Sequence, residues 1–354
     1  MDRSTSCNWL ICILFILTLC GCQGAAFYGQ AVWGHTRIML SQRPITELLN
    51  DPGTPSHLRA KLSYVLELRE FAARELRLPV GESYRDYADI GRSHVVWNVF
   101  AAPDLSLTPK TWCYPIAGCA AYRGYFEQPA AERYAASLSQ EGYDVFVWGA
   151  TAYSTLGWFD DPVLSTFLRL DHTQVAALMF HELAHRLLYI QGDSAFNESF
   201  ATAVEQMGLR RWAAVRNEQG LQAAYDCQQR LQEEFYSLVS SSIHDLQAVY
   251  ASDLPAAEKR IRKTAVFSQL QRDFERLKQR LPGLSRYDRW LASGLNNAGL
   301  TSVSTYRELV PAFERLLQQS NGSLSVFYEH CRALAHLPFG QRHEQLQVLL
   351  RPSS

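Results

Sequence analysis

Apolar residues fall on two different periods along this chain. Between Phe27 and about Leu78 the spacing is helical, with Leu62, Val65, Leu66, Leu68 and Phe71 recurring at three and four residues and Pro79 stopping the segment. From Val95 to Gly157 the character changes. Val95-Val96-Trp97-Asn98-Val99-Phe100 and Asp144-Val145-Phe146-Val147-Trp148-Gly149 are short, aromatic and β-branched, and proline and glycine separate them, which predicts strands of a small sheet. Beyond Asp171 the pattern is helical almost to the end. The stretch from Leu209 to Leu281 is rich in Gln, Glu, Arg and Leu and predicts long helices in a hairpin, with charge clusters such as Lys259-Arg260 and Arg262-Lys263 as solvated faces. No internal repeat or low-complexity linker interrupts this order. The expected architecture is α+β, a mainly helical body with a small sheet inserted ahead of the central helices.

Composition narrows the class. The chain has 354 residues, of which 47% are hydrophobic, too many for a disordered chain, and Gly 20 with Pro 14 is too little for a fibrous one. Lys+Arg 34 against Asp+Glu 35 leaves no basic surplus, which argues against a nucleic-acid partner. The apolar run from Trp9 to Cys20 is too short for a membrane span and suits the core of a signal peptide. It ends in Leu19-Cys20-Gly21-Cys22, which resembles a bacterial lipobox. That resemblance implies a signal over residues 1–21, a lipid on Cys22 and a mature protein that starts there. Gln23 stands where an Asp would mark inner-membrane retention, so an outer-membrane anchor facing the periplasm is expected. An ordinary secretory signal is the alternative. Four cysteines then remain, Cys113, Cys119, Cys227 and Cys331, and an oxidising compartment allows two disulfides in three pairings. Cys113 and Cys119 share one loop-like segment, which favours a small local bridge. Their spacing suits a zinc finger poorly.

The chemistry is concentrated in His181-Glu182-Leu183-Ala184-His185. Asp171 and Gln174 form a capping-box pattern at the start of a helix expected to run to about Ile190, with Gly192 ending it. Residues i and i+4 project from one helix face, so His181 and His185 can aim two imidazoles at one tetrahedral Zn²⁺. Glu182 then lies beside the ion, where a carboxylate can take a proton from water. The third ligand is Glu198 or Glu205. A turn through Gln191-Gly192-Asp193-Ser194, with Asp193 or Ser194 as N-cap, sends a second helix back down, and Gly208 is expected to close it. At about 1.5 Å per residue Glu198 returns level with His185, while Glu205 falls about 10 Å lower, past His181. Glu198 is therefore the expected ligand and Glu205 a supporting or ion-pairing group.

At this point the chain resembles the gluzincin metallopeptidases. Asn197-Glu198-Ser199-Phe200-Ala201 is similar to the Asn-Glu-x-Phe-Ala element that supplies the third zinc ligand in aminopeptidase N relatives. Trp112-Cys113-Tyr114-Pro115-Ile116-Ala117-Gly118-Cys119, Ala152-Tyr153-Ser154-Thr155-Leu156-Gly157-Trp158-Phe159-Asp160-Asp161-Pro162 and Leu295-Asn296-Asn297-Ala298 resemble a family of bacterial "putative aminopeptidase" lipoproteins over nearly the whole mature chain. The resemblance implies a gluzincin-like body, zinc held by His181, His185 and Glu198, Glu182 as general base, and a peptide substrate. The 12 residues between His185 and Glu198 make a shorter connection than those relatives have. The Gly-x-Met-Glu-Asn element that anchors a substrate amine in them is absent.

The relatives complete the oxyanion site with Tyr or His, for which Tyr306 and Tyr153 are candidates here. The segment 150–157 can offer an edge strand to an extended peptide or form a plain hairpin. Asp160-Asp161-Pro162 reads as a turn starter, with a second role in receiving an amine. His94 and His330 read as structural. The expected organisation is a signal over 1–21 and one domain over 22–354, divided into a helical part (22–94), a small sheet (95–165), the zinc-binding helix pair (166–210) and a helical C-terminal part (211–354). The function expected is a zinc-dependent peptidase, with an aminopeptidase first, an envelope endopeptidase second, and a non-catalytic lipoprotein with a residual metal site as the alternative outside that class. Nothing in the residues speaks to oligomeric state.

Overall fold

A computed structural model describes residues 24, 26–114, 118–152, 160–217, 219–304 and 309–350. The chain opens with helix α1 (26–40), strand β1 (Gln42–Pro44), helices α2 (Ile45–Asn50) and α3 (Ser56–Arg74), and strand β2 (Asp86–Ala88). Next come β3 (Val96–Pro103), β4 (Trp112–Tyr114), β5 (Gly118–Ala120), β6 (Arg123–Tyr125), α4 (Gln128–Gln140), β7 (Tyr143–Ala150) and β8 (Val163–Leu164). Helices α5 (His172–Leu187), α6 (Ser194–Arg216), α7 (Gln219–Ala251) and α8 (Ala256–Arg280) form the centre. The chain continues through α9 (Asp288–Ala292), α10 (Asn297–Ser304), α11 (Val310–Gln319), α12 (Leu324–Ala335) and α13 (Phe339–Leu350). The protein is mainly helical with small sheets, an α+β architecture.

The aromatic, β-branched runs pair as their period of two dictates. β3 and β7 form an eight-residue antiparallel ladder from Val96↔Ala150 to Pro103↔Tyr143, and β6 adds to the other edge of β3. Alternation along β3 serves two cores. Val99 and Ala101 pack with Ala131, Ala135 and Leu138 of α4, while Phe100 and Ala102 pack with Phe235 of α7 and Phe267 and Phe274 of α8. Asn297, from the Leu-Asn-Asn-Ala element, ties the far end of this ladder to the helices. Its side-chain amide donates to the carbonyls of Pro103, Asp104 and Ser106, its backbone N–H donates to Asp144 Oδ2, and Lys263 donates to both Asp104 and Asp144.

Not all of the strand content lies between 95 and 165. β1 and β2, within the segment expected to be helical, join β8 in a separate sheet in the order β1-β2-β8. Each of these strands is two or three residues long, too short for a hydrophobic period to show. β4 and β5 form a hairpin in which Cys113 and Cys119 face each other and are disulfide-bonded. Cys227 is exposed and Cys331 buried, both as free thiols.

The largest core surrounds α5 and α6. Phe196 and Phe200 of α6 stack on each other, Phe327 of α12 stacks on Phe200, and Phe313 of α11 meets Phe196 and Phe200 edge-on, all four fully buried. Each such ring contributes on the order of 1.5–3 kcal/mol through burial. The N-terminus of α5 carries the expected reciprocal bonds: Gln174 N–H donates to Asp171 Oδ1, and Asp171 N–H to Gln174 Oε1. Its C-terminus comes earlier than expected. Leu188 is already extended, and Gly192, at φ 81°, belongs to the connecting turn and not to the helix end. Gly208 does not close α6, which continues to Arg216 and is capped by left-handed Asn217. The glycine serves packing: a Cβ there would lie 2.7 Å from Phe180 Cδ2 and 2.9 Å from Leu76 Cδ1, so its absence lets α6 approach α5 closely. Gly208→Ala is expected to destabilise the fold by about 1–3 kcal/mol through overpacking, read as a lowered midpoint in thermal or urea unfolding.

Candidate metal centre

The centre is built from two antiparallel helices. One turn of α5 separates His181 from His185, so both imidazoles leave the same face, and α6 returns Glu198 against them. His185 Nε2 lies 3.2 Å from His181 Nε2, and His181 Nε2 lies 3.3 Å from Glu198 Oε2. His185 Nε2 is 3.7 Å from Glu198 Oε1, and one donor atom from each of the three residues lies within 4.8 Å of the others. A tetrahedral ion with bonds of about 2.0–2.1 Å has ligand-to-ligand edges of roughly 3.3–3.4 Å. The separations lie near that value, with the 3.3 and 3.7 Å distances running to different oxygens of Glu198, so the donor set is compatible with zinc in chemistry and approximate spacing. Glu182, next along α5, is half-buried and lines the same cleft.

Two carboxylates flank His181 on opposite ring nitrogens. Nε2 faces Glu198, and Nδ1 donates to Glu205 Oε2 at 3.2 Å. Burial opposes protonation of His181, but the hydrogen bonds and charges of Glu198 and Glu205 outweigh it and hold its pKa well above the usual histidine range. Burial alone would raise the pKa of Glu198, yet the bond from His181 and the nearby imidazoles hold it below the usual carboxylate range. His185 behaves in the opposite way: burial pushes its pKa down to about 4, and it stays neutral.

The turn between the helices fixes the height of Glu198. Asn197 uses both ends of its amide, accepting from Ile190 N–H and donating to Ile190 C=O, each at 2.8 Å. Asp193 caps α6 by accepting from Phe196 N–H at 3.1 Å. Its carboxylate also pairs with Arg342 of α13 at 2.7 Å and with His343 at 3.0 Å, and both Asp193 and Arg342 are buried.

A cleft of about 380 Å³ opens onto the three donors. Its walls are largely apolar: Phe27 and Ala31 from α1, Val96 from β3, Tyr114, Phe126 and Ala150. Tyr122, between β5 and β6, and Tyr189, just after α5, also line it. Desolvation raises the pKa of Tyr122, and the charges of Glu198 and Glu182 add to it; Tyr189 is raised by burial and by Glu198. Both keep a hydroxyl proton to donate. Sequence reasoning missed these two tyrosines and Phe27, because no local pattern marks a residue that reaches the cleft only through tertiary folding. The link is tertiary: Gly118, in the cysteine hairpin just ahead of Tyr122, packs on Gln191 in the turn between α5 and α6.

The remaining candidates lie elsewhere. Cys22, Tyr153 and Tyr306 fall outside the described residues, as does most of the segment 150–157. Asp160 pairs with Arg186 at 3.4 Å, Asp161 is buried, and neither lines the cleft. His94 packs on Trp97, and His330 lies 3.5 Å from Ser320.

A mainly helical fold with small sheets thus brings two histidines and a glutamate together in an apolar cleft, a donor set able to hold a metal ion. Residues 26–346 match the family described as "Putative aminopeptidase", and the chain belongs to that family. No curated protein and no solved structure matches it.

Two outcomes follow from the electrostatics. Because Glu198 and Glu205 hold the pKa of His181 well above the usual histidine range, metal uptake at pH 7 is expected to displace about one proton. Because that proton competes with the metal, affinity should weaken as pH falls; calorimetry in buffers of different ionisation heat reads both effects. Glu205→Ala removes the partner of His181 Nδ1 and should weaken metal binding by about 10–100-fold, measured by competition with a chromogenic chelator.

Proposed function

We propose that the chain is a gluzincin-type zinc peptidase in which His181, His185 and Glu198 hold the ion and Glu182 is the general base. The observation that carries this reading is the convergence of His181, His185 and Glu198, one donor atom from each lying within 4.8 Å of the others, beside the Glu182 carboxylate that lines the same cleft. Zinc bound there would polarise the scissile carbonyl and lower the pKa of a water. The chain's own residues do the rest. Glu182 accepts the proton of the attacking water and passes it to the leaving amine. Tyr122 and Tyr189, which line the cleft with raised pKa values, would supply hydroxyl protons to the developing oxyanion. Glu205 holds the ring of His181 in one orientation, and the aromatic wall receives an apolar side chain of the peptide.

The family name assigns action at a peptide's amino end, and an aminopeptidase is the first reading. One observation favours an endopeptidase as the second. Among the described residues lining the cleft, Glu182 and Glu198 are the acids, so a free substrate amine finds no third carboxylate there. The lipid on Cys22 and an outer-membrane anchor facing the periplasm belong to the same proposal. The Cys113–Cys119 disulfide supports an oxidising compartment.

The test is metal analysis of the purified chain, with wild type and Glu182→Gln assayed on a peptide library. One zinc per chain is expected in both. Turnover by Glu182→Gln should fall by about 10²–10⁴-fold; a variant that retains full turnover overturns the mechanism. Cuts confined to one residue from a free amine establish the aminopeptidase, and internal cuts in blocked peptides establish the endopeptidase.

A further inference from the structure

Helix α1 has two faces with different chemistry. On the inner face Phe27 and Ala31 wall the metal cleft, Gln30 accepts from Phe126 N–H at 3.0 Å, and Ile38 is buried. The outer face carries Tyr28, Val32, Trp33 and Leu40, which are 46%, 66%, 63% and 80% exposed. At 100° per residue these four fall within an arc of about 140°, and none of the described residues between them on that arc is charged. Scattered exposed apolar side chains are ordinary, but this many on one helix mark a surface that is covered in use.

We propose that the outer face of α1 docks on a lipid bilayer, with the helix lying in the headgroup layer. Two observations select lipid as the occupant. The first is the length of chain ahead of the helix. From Cys22 to Ala26 is four residues, at most about 14 Å when extended, so a lipid on Cys22 holds α1 at the bilayer surface. The second is composition. Trp33 and Tyr28 are the aromatic types that settle at the headgroup level, and Val32 and Leu40 can sink into the acyl boundary. Because the opposite side of α1 walls the cleft, that wall then sits about one helix diameter from the membrane, and peptide segments that lie along the bilayer reach the cleft first. The placement rests on the lipid-anchor reading above, whereas the apolar face is independent of it.

The experiment uses the full processed chain in vesicles of phosphatidylethanolamine and phosphatidylglycerol bearing bromine on the upper acyl carbons. Wild type is compared with Trp33→Phe, which keeps an exposed aromatic ring and does not touch the cleft. The emission that Trp33→Phe removes should be quenched at least about twofold in brominated vesicles. An unquenched Trp33 component overturns the proposal, as does a Trp33 shielded instead by a second copy of the chain, which cross-linking would show. Mass analysis of the amino-terminal peptide separates the two readings. If acyl chains are present and Trp33 is not quenched, the docking face fails and the anchor stands. If Cys22 carries no lipid, the anchor fails, and quenching of Trp33 alone then decides the face.

Discussion

Three donor atoms on two helices can meet only if the short turn between those helices sets their relative height. That turn has no core of its own, so side chains hold it. Asn197, the residue before the glutamate that faces the histidines, closes a two-bond clasp on Ile190, and Asp193 caps the first turn of α6. The cap is itself pinned from a distant part of the chain, because Asp193 and Arg342 form an ion pair shielded from water. Removing one partner of such a pair leaves a buried charge and costs about 3–5 kcal/mol. The centre therefore depends on α13 as much as on the two helices that carry it.

The same economy of position governs α5. Phe180, Leu183 and Ala184 are wholly buried in the main core, while His181, Glu182 and His185 face the cleft. A helix with 3.6 residues per turn makes this division possible: positions i, i+1 and i+4 form one stripe, and i−1, i+2 and i+3 form the other. Gly208 then decides how near α6 can come. Its missing side chain accommodates the ring of Phe180, so one small residue in α6 sets the distance over which Glu198 and Glu205 reach His181.

Local signals were legible in the sequence wherever the physics was local. The capping box at Asp171, the i,i+4 histidines, the two β-branched runs of the eight-residue ladder and the close cysteine pair each involve neighbours within a few positions. What was misread required knowledge of a distant partner. Gly208 looked like a helix end, since glycine is common there, and its role is explained only by Phe180 and Leu76. Gly192 lies in the expected turn, but the clasp that holds that turn comes from Asn197. The short strands at 42–44 and 86–88 gain their pairing from one another and from β8, not from a hydrophobic period of their own. Tyr122 and Tyr189 enter the cleft from separate segments and are invisible until those segments are brought together.

The electrostatics of the centre give a reason for its composition. Glu182, Glu198 and Glu205 are each partly or largely withdrawn from water around a single pair of imidazoles. Three carboxylates packed so closely repel one another, and an apolar cleft weakens the screening that water would supply. A purely structural role would favour replacing at least one of them with an uncharged residue. The proton retained by His181 offsets one negative charge, which accounts for the raised pKa of that ring and the lowered pKa of Glu198. A divalent ion in the proposed position offsets two, and it frees His181 to remain neutral with Nδ1 still bonded to Glu205. The arrangement is thus best balanced with a cation present, which leaves Glu205 bonded to His181 and Glu182 facing the cleft, neither of them a ligand.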